Sequence, residues 1–100
     1  MLIVSGTMSV DPDNHSKVVE AVEPLVEATL AEEGNVTYGF WAHPTESGLF
    51  RIHEEWVDQA AIDEHMASAH MAAFLAALAD ADVTSTELTL HEVASSNRFM

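Results

Sequence analysis

Apolar positions along this chain change period several times, and each change marks an element. Leu2-Ile3-Val4 open a stretch of strand character that runs to Met8, and Gly6 within it marks a bulge or a close backbone approach. The period then becomes helical. Asp11 suits an N-cap and Pro12 the first helical position, where its missing N–H costs nothing. Val18, Val22, Leu25 or Val26, and Leu30 then fall on one stripe. Pro24 lies inside this helix and predicts a kink, and Gly34 predicts its stop. Val36 to His43 is rich in strand formers, Pro44 to Gly48 reads as a turn, and Leu49 to Trp56 as the returning strand of a hairpin. Asp58 caps a second helix that extends to about Ala79, with a break expected near Ala67-Ser68. Ile62, Met66, Met71, Phe74, Leu75 and Leu78 supply its packing face. Thr84 to Val93 alternates as a fourth strand, Leu88 and Leu90 on one face, Thr89, His91 and Val93 on the other.

The order β-α-β-β-α-β predicts an α+β, ferredoxin-like fold: a four-stranded antiparallel sheet with the helices on one face. Tyr38, Phe40, Trp41, Phe50, Ile52 and Trp56 place apolar side chains at both parities of the hairpin. Both sheet faces should then need cover, and helices supply only one. A two-fold homodimer, sheet against sheet, is the expected solution. One hundred residues suit a single domain over 1–100 with one modest core.

Charge narrows the partners. Three basic residues face seventeen acidic ones, a formal charge of -14. Nucleic acid and anionic membrane surfaces would be repelled. The absence of cysteine excludes disulfides, thiolate nucleophiles and thiolate metal sites. No apolar run reaches the roughly 18 residues of a membrane span, and Met1-Leu2-Ile3-Val4 has no basic flank, so a cytoplasmic protein is expected.

Chemistry concentrates between Glu54 and Phe74. Histidine exchanges protons near neutral pH, and His65 follows Ile62 by one turn, close to the buried stripe. One reading puts His65 in a cavity between helices and sheet, facing Trp56 and Tyr38. The other makes it a structural histidine at the core edge, bonded to Glu54 or a backbone carbonyl. His70 carries the same two readings. Glu54 shares its strand face with Ile52 and Trp56, so it needs a partner, and His65 is the candidate. Met66, Met71 and Phe74 are ordinary packing residues that would also wall a flat ligand. His53 belongs on the dimer face; His15, His43 and His91 read as surface or strand-edge residues. His65 and His70 are five apart, not the four of a helical ligand pair, and no glycine-rich loop occurs, so neither metal nor cofactor is expected.

At Gly34-Asn35-Val36-Thr37-Tyr38, Glu54-x-Trp56, Asp58, Ala60-Ala61, His65, Ser68, His70 and Phe74, the chain resembles the antibiotic biosynthesis monooxygenase family over most of its length. The resemblance implies a dimeric α+β barrel that oxidises a small aromatic substrate, a quinol or polyketide-like phenol, with O2 and without metal or flavin. It implies His65 as base or phenolate anchor, Glu54 as an orienting acid, and Tyr38, Trp56, His70 and Phe74 around the substrate. In haem-degrading relatives the iron ligand would fall near Leu75, which cannot ligate iron, so that activity is not expected. Two alternatives stay open: an isomerase using the same histidine, and a dimeric ligand-binding or stress protein without turnover.

Overall fold

The computed structural model describes residues Met1–Met100. Strand β1 spans Leu2–Val10, and a single 3-10 turn, Pro12–Asn14, leads into helix α1, His15–Leu30. Strands β2 (Asn35–Ala42) and β3 (Leu49–Trp56) form the hairpin, followed by α2 (Gln59–Met66), α3 (Ala69–Leu78) and β4 (Val83–Glu92). The sheet order is β2-β3-β1-β4, antiparallel throughout. This is the ferredoxin-like arrangement, with its second helix divided in two. No helix is long and apolar enough to cross a membrane.

Local chemistry accounts for the boundaries. Asp11 accepts the Asp13 amide at 2.9 Å, but the turn it opens is 3-10, and α1 proper begins three residues after Pro12. Asn14 spends its amide on the Ala81 carbonyl at 3.0 Å, tying this turn to the α3–β4 connection. α1 runs unbroken through Pro24, which lies on the exposed side, where water can serve the freed carbonyl. The break between α2 and α3 falls at Ser68, whose extended backbone ends one helix while its hydroxyl accepts the Met71 amide at 3.2 Å and starts the next. Gly6 is a close approach, since a Cβ there would fall on the Glu87 carbonyl; the register shift lies instead between Ser9 and Val10.

The core lies between the sheet and the helices. Trp56, Phe50, Leu25 and Val18 are fully buried, joined by Met8, Val10, Val22 and Ile52. Two expectations need correction here. Leu30 is exposed, and Thr29 takes the buried position on the stripe. Of the apolar hairpin residues, Tyr38, Phe40, Phe50, Ile52 and Trp56 all face the helices, because the register sets Tyr38 opposite Glu54 and Phe40 opposite Ile52. The outer face is mostly polar, with Ser5, Thr7, Arg51, His53 and Glu55; Ile3, Leu49 and Trp41 are its apolar members, and Trp41 is the most exposed of them. The uncovered apolar strip is on the helix side of edge strand β4, where Leu88 and Leu90 each remain 45% exposed because the helices stop short of that strand. His15 is no surface residue. Its ring stacks on Phe50 at 5.0 Å and its Nδ1 accepts the Gly48 amide at 3.0 Å, pinning α1 to the start of β3.

Candidate active site

Besides β2, which carries Tyr38, four separate segments deliver the site. The end of β3 turns Glu54 and Trp56 toward the helices. Asp58 then accepts the Ala61 amide at 2.9 Å and launches α2, which carries His65 in its last turn. The Ser68 break redirects the chain so that α3 brings His70, Met71 and Phe74 alongside. The fourth contributor is the turn after α1, which carries Glu32. Gly34 lets that turn lie against α2: a Cβ at Gly34 would sit 2.3 Å from the Ala61 methyl.

One oxygen organises the centre. Glu32 Oε2 lies 2.7 Å from His65 Nδ1 and 2.9 Å from His70 Nε2. A carboxylate only accepts, so both ring nitrogens donate to it. That assigns the proton of a neutral His65 to Nδ1 and leaves Nε2, which makes no hydrogen bond within the chain, with its lone pair. The His65 ring is 2% exposed and wedged between aromatic neighbours, its centroid 4.8 Å from Trp56 and 5.7 Å from Tyr38. Beside it the Trp56 indole N–H donates to Glu54 Oε1 at 2.9 Å.

His65, Glu54, Tyr38 and Thr86 are the polar points of a cavity of about 280 Å³, otherwise walled by Met8, Phe40, Ile52, Met71 and Phe74 among others. A larger hollow of about 430 Å³ lies by Trp41, His43 and Arg51, away from this cluster. Burial pushes the Tyr38 phenol far above its ordinary range, with the Glu54 and Glu32 carboxylates adding to the effect. Tyr38 therefore stays a neutral hydroxyl at any working pH. Burial also raises Glu54; the Trp56 hydrogen bond and the His65 and His53 rings oppose the shift, and Glu32 reinforces it.

Residues 1–77 match the family model described as antibiotic biosynthesis monooxygenase. The chain belongs to that family. It is 31% identical over 94 residues to "Putative monooxygenase YcnE" of Bacillus subtilis, covering 89% of this chain and 99% of the relative. It is 25% identical over 93 residues to an uncharacterized Synechocystis protein, covering 93% of this chain but spanning only 63% of that relative's length. A crystal structure from Deinococcus radiodurans, assigned to the same family, superposes with a TM-score of 0.89 at 25% identity, covering 100% of this chain and 99% of that one.

Within this family member, His65, Glu54, Tyr38 and Phe74 all reach the cavity wall. Trp56 and His70 do not. Trp56 is fully buried behind Glu54 and His65, and His70 stands on the far side of the His65 ring, at Glu32. The expected Glu54–His65 pair is also replaced: Glu54 takes its hydrogen bond from Trp56, and His65 gives its own to Glu32. Glu32 escapes a reading by spacing. It is one of seventeen acids, 33 residues from His65, and only its place two residues before Gly34 hints that its turn must pack closely.

The Glu54 shift has a measurable consequence. A carboxyl raised on folding contributes its stability below the unfolded value, near the ordinary 4.5, and loses it as pH rises through the higher folded value. Glu54→Gln keeps an oxygen for the Trp56 indole and removes the buried charge. Thermal melts should show the variant more stable than wild type at pH 7 to 8, by about 4–8 °C for each kcal/mol released. The gap should close as pH falls below the ordinary carboxyl range. A difference that does not vary with pH would refute this account of Glu54.

Proposed function

We propose that this chain is a cofactor-independent monooxygenase that oxidises a small electron-rich phenol or quinol with O2. The observation that supports it best is the His65 ring on the wall of an apolar cavity, held at Nδ1 by Glu32 with Nε2 left unbonded. A phenol entering that cavity gives its proton to Nε2, and the imidazolium that results is stabilised by the Glu32 carboxylate. The phenolate, now electron-rich, passes one electron to O2. The resulting radicals combine at a ring carbon bearing hydrogen, forming a hydroperoxide. Loss of water from it leaves a carbonyl, so one oxygen atom enters the product and the other leaves as water. The substrate's C–OH and C–H become the two carbonyls of a quinone, a four-electron oxidation, and O2 is reduced by four. Protonated His65 gives its proton to the peroxide anion, completing the hydroperoxide, and the ring C–H proton then leaves with the hydroxide as water.

The remaining groups orient and exclude. Tyr38, held neutral, donates a hydrogen bond to a substrate oxygen. Glu54, anchored by Trp56, accepts from a second hydroxyl. Met71 and Phe74 flank the flat ring and keep water from the reactive anion. In this reading Trp56 and His70 are positioning residues.

The test is oxygen uptake with dihydroxynaphthalenes and anthrones, with ¹⁸O2 to place one label in the product. Uptake no faster than the autoxidation blank across the panel would remove the monooxygenase reading and leave an isomerase or a ligand-binding protein. We also propose that one domain of 100 residues works as a homodimer. The exposed Leu88 and Leu90 on β4 and Trp41 on the outer face are its available apolar surface. Light scattering should give twice the chain mass of 10.9 kDa, and a single-chain mass would overturn it.

A further inference from the structure

We propose that Glu32, His65 and His70 form a binding site for one divalent first-row transition ion, and that an ion bound there silences His65. Three donors of the right kind converge. The two ring nitrogens and one carboxylate oxygen all lie within 4.8 Å of one another. Two imidazoles with one carboxylate suit Zn²⁺, Co²⁺ or Cu²⁺ in preference to Mg²⁺ or Ca²⁺. Ligand bonds near 2.0–2.1 Å put neighbouring ligands about 3.3 Å apart around a tetrahedral ion. The two nitrogen–oxygen contacts, 2.7 and 2.9 Å, need only widen by about half an ångström to reach that spacing. The Glu32 and His70 side chains are 17% and 24% exposed, so an ion arrives from solvent without crossing the cavity. The chain's formal charge of -14 concentrates divalent cations around it.

Position decides what such an ion does. Neither Glu32 nor His70 lines the cavity, so the ion sits behind the His65 ring and touches no substrate. It takes the Nδ1 lone pair. A neutral imidazole has one proton, which then resides on Nε2, and His70 likewise keeps its proton on Nδ1. The atom that faced the cavity as an acceptor becomes a donor, and no phenolic proton can be taken there. The site stands without any assumption about turnover; its effect on the reaction rests on the monooxygenase reading above.

The experiment uses tag-free, metal-stripped full chain titrated with Co²⁺ and followed by its visible absorption, then with Zn²⁺ as competitor. One Co²⁺ per chain should saturate in the micromolar range and be displaced by Zn²⁺. Affinity should fall at least about tenfold in Glu32→Gln and in His70→Asn, in line with the cost of disturbing a metal's ligand environment. Glu33→Gln, one residue away on an exposed side chain, should bind as wild type does. His70→Asn alters a partly exposed residue, so its melting curve shows directly that it folds. No saturable binding below millimolar Co²⁺, or equal binding by wild type and all three variants, would overturn the site. Oxygen uptake supplies the second readout: Zn²⁺ should stop wild-type uptake, while His70→Asn should need at least tenfold more. Saturable Co²⁺ binding with no uptake on any substrate would keep the site and sink the activity, whereas uptake without binding would do the reverse.

Discussion

His65→Ala is expected to lower oxygen uptake above the autoxidation rate by about 10²–10⁴-fold, the usual contribution of a positioned general base. The size follows from the cavity's composition. Tyr38 cannot act as a base, because burial and two carboxylates hold its proton. Glu54 holds the Trp56 indole with Oε1 and, in the proposed pose, meets the substrate's second hydroxyl and not the reacting one. His70 is behind the ring and Glu32 reaches the cavity only through His65. No second base therefore stands ready to replace His65. Removing the ring also leaves a hole between Trp56 and Tyr38, so the melting curve must accompany the rate. Added imidazole should enter that hole and restore part of the activity, which a merely loosened fold would not show. A loss below tenfold, in a variant that melts like wild type, would assign the base elsewhere.

Trp56→Ala should cost about 3–5 kcal/mol of stability, the range for deleting a buried aromatic. Trp56 is fully buried, packs against His65, and supplies the hydrogen bond of a buried carboxyl. Set against a total of about 5–15 kcal/mol for a domain, the loss should leave a substantial unfolded fraction under mild denaturant. Trp56→Phe separates the two contributions. It keeps most of the packing and strands Glu54 without a donor, for an expected cost of about 1–3 kcal/mol. That smaller cost should shrink in a Glu54→Gln background, where the buried charge is gone. Urea unfolding of the four proteins closes the cycle. A Trp56→Ala cost under about 1 kcal/mol would show that the indole is not the centre of this core.

Much of the architecture is legible along the chain because its causes are local. The third strand, Leu49–Trp56, follows from its own residue pattern between a turn and a cap. The division of the second helix follows from Ser68, whose hydroxyl competes for the backbone as effectively here as in any peptide. His65 beside Trp56 and Tyr38 was likewise readable, since one turn past Ile62 returns a side chain to the same stripe. The Glu54–Trp56 bond was also within reach, because residues two apart on a strand share a face.

What the sequence alone determined is the order and kind of the elements, most of the buried stripe, and that a titratable histidine lies on it. Hydrogen bonding within a few residues and the periods of strand and helix suffice for that. The tertiary structure decided the rest. Only strand register showed that Tyr38, Phe40, Phe50, Ile52 and Trp56 share one face and that the exposed apolar strip belongs to β4. Only the packing of the α1–β2 turn against α2 chose Glu32 from seventeen acids and set its carboxylate between two histidines. A contact across 33 residues leaves no period to read, because its partners are brought together by the whole core and not by their neighbours.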